Sequence, residues 1–278
     1  MDFIEKNRKT LFIATGIAGA VAIGVSIYAL VKSNTANVHA QNQLDGFGKS
    51  GQVSQSRVFV KEKKYLDMIE KLRKALQTEK NNQLSKQFLI AVNQAILELF
   101  KNDFLKAFQE IREKRREYIN EMAKYAEEYF QGSFETEKIL EDASTEVFKD
   151  LGLDPAFFED QCERVSQLDQ NFPMFMLYML ESLKSQIPSK MNKKLTHQDL
   201  IEGFSYQIEL LDQIDFSQFG DLTDENLLLC KQGYISDLTS IKFGFEEEDI
   251  ARNPALLSTH PKIPELHNEL QSKLYRQA

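Results

Sequence analysis

Apolar and polar positions along this chain fall into three regimes. Residues 11 to 31, LFIATGIAGAVAIGVSIYALV, hold no charged side chain across 21 positions. A helix of about 20 residues rising about 1.5 Å each spans a hydrocarbon core of roughly 30 Å, so this stretch predicts a single transmembrane anchor over residues 11–32. A short tail, 1–10, precedes it. Residues 33–57, rich in Ser, Asn, Gln and Gly, read as a flexible linker. From 58 to 278 the apolar positions recur at helical spacing without alternation of period two, which predicts one helical domain.

Within that domain Tyr65, Ile69, Leu72 and Leu76 make one narrow apolar stripe. A longer pattern begins near Leu84 and runs through Phe88, Val92, Leu99, Phe104, Phe108, Ile111, Met122 and Tyr129 to Phe130, with Gly132 as its stop. An unbroken helix of about 47 residues would extend roughly 70 Å, so it must bend, break or project; Asn102-Asp103 is the expected break. Shorter helices follow. One covers Thr136 to Leu151, closed by Gly152, and another follows the Asp154-Pro155 cap. A third, Pro173 to Ile187, is apolar enough to be central, and Pro188 ends it. Thr196 and Asp199 open a helix carrying Leu200, Phe204, Ile208 and Leu211. Thr223 opens the next, with Leu227, Leu228, Tyr234, Ile235, Leu238 and Ile241 apolar and Gly244 as stop. Pro264 starts the last, with Leu266, Leu270 and Leu274. The predicted fold class is all-α: a single transmembrane helix, then a multi-helix bundle containing one long helix or helical hairpin.

Composition sharpens this picture. The chain has 34 Lys+Arg against 42 Asp+Glu, a net charge of −8. Setting aside residues 1–32 leaves 30 basic against 40 acidic groups, so the helical part is more acidic than the whole. That disfavours nucleic acid as a partner. Only 12 Gly, 6 Pro and 2 Cys exclude collagen-like, low-complexity and disulfide-stapled chains.

In the anchor, Gly16, Ala20 and Gly24 recur every four residues and put small side chains on one face, where a second membrane helix can pack closely. Basic residues flank both ends, Lys6, Arg8 and Lys9 before and Lys32, Lys49 and Arg57 after, so orientation is only slightly biased toward a cytoplasmic or matrix N-terminus. Phe3, Lys6, Arg8, Lys9 and the span from Gly16 to Gly24 resemble the start of the peroxin-3 family of membrane proteins. The resemblance covers about the first 30 residues, and no functional residue of that family is carried over. A rival reading is a signal peptide cleaved after Val38-His39-Ala40.

Chemistry-bearing motifs are weak. Gly46-Phe47-Gly48-Lys49-Ser50 ends like a phosphate loop, but Gln43 replaces its first Gly and no strand precedes it. Asp215 to Asn226 imitates a calcium loop, with Phe219 and Asn226 where oxygen ligands belong. His39, His197, His260 and His267 lack metal spacing, and Cys162 and Cys230 read as free, partly buried thiols. The Arg112 to Glu117 cluster and the Glu246 to Asp249 run read as solvated helix surface. Met174, Met176 and Met179 could form an adaptable partner surface, although core filler is the simpler role. Lys190, Lys193 and Lys194 mark a solvated loop.

No catalytic, cofactor-binding or metal-binding residue is assigned. The expected function is that of a non-catalytic, membrane-anchored accessory subunit or scaffold, in an organelle such as the mitochondrion. Its expected partners are the lipid bilayer and other membrane-complex subunits or protein ligands. A receptor or adaptor in protein import or organelle biogenesis is one alternative, and a membrane-tethered enzyme with a scattered site another.

Overall fold

The computed structural model describes residues 57–79, 83–169, 171–191 and 194–276. Their regular secondary structure is helical, with no strand among them. The anchor, with Gly16, Ala20 and Gly24, the linker and the loop resembling a phosphate site lie outside the described residues. Among those described, no helix is long and apolar enough to cross a membrane.

The described residues form ten α-helices in order: α1 Lys63–Leu76, α2 Lys86–Glu117, α3 Met122–Leu151, α4 Pro155–Leu168, α5 Asn171–Lys184, α6 His197–Gln213, α7 Asp224–Phe243, α8 Glu247–Ala251, α9 Ala255–Thr259 and α10 Lys262–Arg276. A 3-10 turn, Phe216–Phe219, separates α6 from α7. The chain divides into two compact units, and the division falls inside α2, α3 and α5.

The first unit comprises, of the described residues, 57–104 and 135–180. Its core takes Tyr65, Ile69 and Leu72 from α1, Phe88, Val92, Phe100 and Phe104 from α2, Ile139 and Val147 from α3, and Phe158 and Cys162 from α4. Asp150 at the end of α3 gathers the edge of α1. Its carboxylate accepts from Tyr65 at 2.6 Å and Lys61 at 2.8 Å, and its carbonyl accepts from Arg73 at 2.8 Å and 2.5 Å. Burial alone would raise the Asp150 carboxyl, but the bonds from Lys61 and Tyr65 hold it below the ordinary range. Gly152, at φ +64°, then stops α3, and the Asp154 side chain accepts from the Ala156 amide to start α4.

The second unit comprises residues 105–134 and 181–276 of those described. Here α6, α7 and α10 pack around Leu200, Phe204, Leu211, Tyr234, Ile235, Ile263, Leu270 and Leu274, closed by Tyr125 and Tyr129 of α3. The Thr196–Asp199 capping box, the Thr223 cap and the Gly244 stop at φ +76° all form as the sequence predicts. Ile241, expected in the core, is exposed instead, and the two short helices α8 and α9 carry too few turns to leave a period in the sequence.

The expected break at Asn102-Asp103 does not form. Asn102 lies on the exposed side of α2, where its amide donates to Glu62 at 3.2 Å, and buried Phe100 and Phe104 hold the helix through it. The chain turns at residues 118–121 instead. There the Tyr118 and Ile119 amides tighten onto the Arg115 and Arg116 carbonyls, and the freed Ile119 carbonyl accepts from the Tyr234 hydroxyl at 2.6 Å. Gly132 is not a stop either. It lies inside α3, and a Cβ built on it would fall 2.1 Å from Cγ2 of Ile111. Its lack of a side chain lets the ends of α2 and α3 nearest the turn come together as a hairpin.

Gly132→Ala therefore destabilises the protein by about 1–3 kcal/mol despite the better helix propensity of alanine. Denaturant unfolding measures the loss, and trimming the opposing side chain in Gly132→Ala/Ile111→Ala restores part of it. A single variant as stable as the parent would show that the helices separate at no cost.

Candidate functional site

The densest polar chemistry among the described residues lies inside the second unit. Arg112, Arg115 and Arg116 stand three and four positions apart on α2, a spacing that puts all three on one helical face. That face meets α7 and the turn into α8. Gly244 in the left-handed region reverses the chain after α7, buried Phe245 pins the turn, and Glu246, Glu247, Glu248 and Asp249 follow. The Glu246 amide donates to Asp249 at 2.8 Å, closing the first turn of α8.

The pairs are short. Arg115 donates to Asp237 at 2.6 Å and 3.1 Å, and Arg116 reaches the same carboxylate at 2.8 Å. Arg116 also takes Glu246 through two nitrogens, at 2.7 Å and 2.8 Å, the bidentate fork that a guanidinium and a carboxylate favour. Arg112 lies 2.7 Å from Glu248 and 3.4 Å from Glu246. Lys184, from the end of α5, stands 3.9 Å from Glu247 with its ammonium over the Phe108 ring. The Tyr125 hydroxyl donates to Asp237 at 2.7 Å. Side chains of Arg112, Lys184, Asp237 and Glu248 are 4% exposed or less, so water contributes little screening.

Four cations thus face four carboxylates, which keeps the interior near neutrality. Burial by itself would raise the Asp237 carboxyl, but the Arg115 and Arg116 guanidiniums and the Tyr125 hydroxyl hold it below its ordinary value. Burial likewise opposes the charge of Glu246, and Arg116 and Arg112 outweigh it. Burial pushes the Tyr125 hydroxyl well up, and the Asp237 charge adds to the rise. Asp237 and Glu246 are therefore held as anions at neutral pH, beside the Arg115 and Arg116 guanidiniums that their charge keeps protonated. The assembly works as a rigid clamp and is poorly suited to shuttling protons. The adjoining cavity, lined by Gly203, Gln207, Ser236, Thr239, Ser240 and Phe245 among others, measures about 10 Å³, room for about one water.

This arrangement corrects two expectations. The Arg112 to Glu117 cluster is not simply solvated surface: Arg112 is buried, and Arg115 and Arg116 are largely so. The acidic run does open a helix, but Glu246, Glu248 and Asp249 are buried. Asp237 escaped sequence reading because α7 is enclosed almost all round and its polar residues follow no amphipathic stripe. The available signal was the same-face spacing of three arginines, which in an acidic chain calls for carboxylate partners.

Met179 is buried, and Met174 and Met176 lie on α5. Cys162 and Cys230 are free and buried, and burial pushes the Cys162 thiol up to about 12, far from a reactive thiolate. The loop resembling a calcium site holds the 3-10 turn, with Asp215 accepting from the Ser217 amide and hydroxyl. Among the described residues no cluster of three or more His, Cys, Asp or Glu has metal-binding geometry. Lys190 pairs with Glu113 at 2.8 Å on the surface, and Lys194 is exposed. No family model, curated protein or solved structure matches the chain.

Asp237→Asn keeps the shape of the clamp and removes its central charge, leaving Arg115 and Arg116 buried against a neutral amide. The expected loss is about 3–5 kcal/mol, as for breaking one partner of a buried pair. Chemical denaturation monitored by circular dichroism reads it. A loss below about 1 kcal/mol, typical of exposed pairs, would mean that water screens the network.

Proposed function

We propose that this protein is a single-pass, membrane-anchored helical protein that serves as an accessory subunit or scaffold of a membrane protein complex, in an organelle such as the mitochondrion. The observation that carries the reading is the uncharged run from Leu11 to Val31, bounded by charged residues and followed by a polar linker. The all-helical described part, whose second unit is internally braced by charge pairs, supports it as helical surface for holding partner proteins. The proposed partners are other membrane subunits, reached in the bilayer through Gly16, Ala20 and Gly24.

Alkaline carbonate extraction of membranes from the source cells tests the anchor, and size separation in mild detergent tests the assembly. The expected result is retention in the membrane pellet and elution far above the 32.1 kDa of one chain with its micelle. Release by carbonate, or a mature N-terminus at Gln41, overturns the anchor. Elution as a monomer overturns the subunit role. Replacing Gly16, Ala20 and Gly24 together by Leu is expected to shift the protein to the smaller species while leaving it in the pellet.

A further inference from the structure

Three histidines fall within the described residues, and all three sit where α10 docks in the second unit. His260 stands just before α10, where its ring Nδ1 accepts the Lys262 amide at 3.3 Å and its carbonyl accepts the Ile263 amide at 3.2 Å. His197, the first residue of α6, meets Oγ1 of Thr259 at 2.7 Å through Nε2. The threonine hydroxyl gives its own hydrogen to the Ala255 carbonyl at 2.8 Å, so the imidazole is the donor in that contact. The His197 and His260 ring centroids are 5.6 Å apart. His267 lies inside α10, 4% exposed and edge-on to Phe204 of α6, and neither ring nitrogen has a hydrogen-bond partner.

We propose that this seam is an acid-sensitive latch, in which protonation of His267 releases α10 from α6. A cation at His267 needs an anion beside it, and the carboxylates of the elements packed around it are engaged elsewhere or exposed. On α6, Asp199 is bound to Thr196, Glu202 and Glu209 hold the amides of Gln198 and Gln213 on the outer face, and Asp212 pairs with Lys273. The Tyr206 ring is covered by Lys242. On α7, Asp237 belongs to the arginine clamp, Tyr234 bonds the Ile119 carbonyl, Lys231 lies over Phe216, and Asp224 and Glu225 are exposed in the first turn. The helix α9 carries no charged residue, and on α10 itself Lys262, Glu265 and Glu269 are exposed.

His260 holds the neighbouring end of the seam, where its Nδ1 accepts the Lys262 amide and caps the start of α10.

The sign follows from burial. Desolvation lowers the affinity of His267 for a proton below the ordinary histidine value of 6.5, whereas a released ring regains it. The open form binds more protons, so the closed form keeps its full stability above about 6.5 and loses it as the pH falls below. The clamp carboxyls of Asp237 and Glu246 lie below their ordinary values and stay ionised through this window.

Amide hydrogen exchange on the full chain in detergent micelles, corrected for intrinsic rates, tests the latch between pH 7.5 and pH 5. Protection of residues 262–276 is expected to fall by up to about tenfold per pH unit for each proton taken up, while residues 122–134 hold theirs. In His267→Phe, which fills the core without titrating, protection of 262–276 stays level. Unchanged protection of this segment in the parent, or an acid loss that persists in the variant, overturns the proposal. Should the variant not fold, the imidazole resonance of His267 in the parent decides: its titration must track the opening of α10, and opening while His267 stays neutral refutes the latch.

Discussion

A guanidinium moved out of water loses solvation that a matched anion restores best, and the interior of the second unit is organised around that requirement. Arg112, Arg115 and Arg116 leave α2 on one face, so their partners must arrive together. Asp237 has to sit in the middle of α7, and Gly244 has to reverse the chain within two residues to return Glu246 and Glu248 to the same place. A shift of either element by one residue would strand several charges at once, whereas a slip in an apolar core would exchange one aliphatic contact for another. Ion pairs of this kind add little net stability over a hydrophobic filling. Their effect here is to penalise alternative packings, which sets the register of α2 against α7.

The same region explains why aromatic side chains crowd the one glycine of α7. A Cβ on Gly233 would lie 2.5 Å from the Tyr129 ring and 3.3 Å from the Tyr125 hydroxyl. The close approach lets Tyr125 reach Asp237, with Tyr234 packed edge-on against the Tyr125 ring at 5.0 Å. Gly203 plays a similar part on α6, where the Phe245 ring fills the space a side chain would need. Small residues and charge pairs are thus two aspects of one constraint, since the helices must come close for short side chains to meet.

Features set by local chemistry were legible in the amino-acid sequence. Thr196, Thr223 and Asp154 cap the helices they precede, and Gly152 and Gly244 end helices in the left-handed conformation, because a cap depends on residues a few positions away. The all-helical class followed from spacing alone. Features set by distant partners were not legible. The turn at 118–121 has no Gly or Pro and exploits a carbonyl taken by Tyr234, 115 positions away. Gly132 looked like a terminator because glycine is usually read locally, yet its reason is Ile111. The arginines and the acidic run were each visible as strings of charge, and only the folded chain joins them. The anchor and its small-residue face remain a reading of sequence, since they lie outside the described residues.

Internal neutrality also reassigns the charge of the molecule. Because the clamp balances its own cations and anions, the net charge of −8 resides elsewhere, on groups that face solvent or lie outside the described residues. It is unevenly spread. From Leu195 to Cys230 there are eight acidic residues and no Lys or Arg. Of these, Glu202, Glu209, Asp212, Asp215, Asp221, Asp224 and Glu225 are exposed, and Lys273 pairs with Asp212 alone. Such a surface repels anionic partners over about a Debye length, roughly 8 Å at physiological salt. The arginines that might have offset it are consumed inside. A sequence-level count of basic residues therefore overstates what this protein can offer to a phosphate backbone or an acidic membrane face, and burial of the cations, more than their number, decides the sign of the field a partner meets.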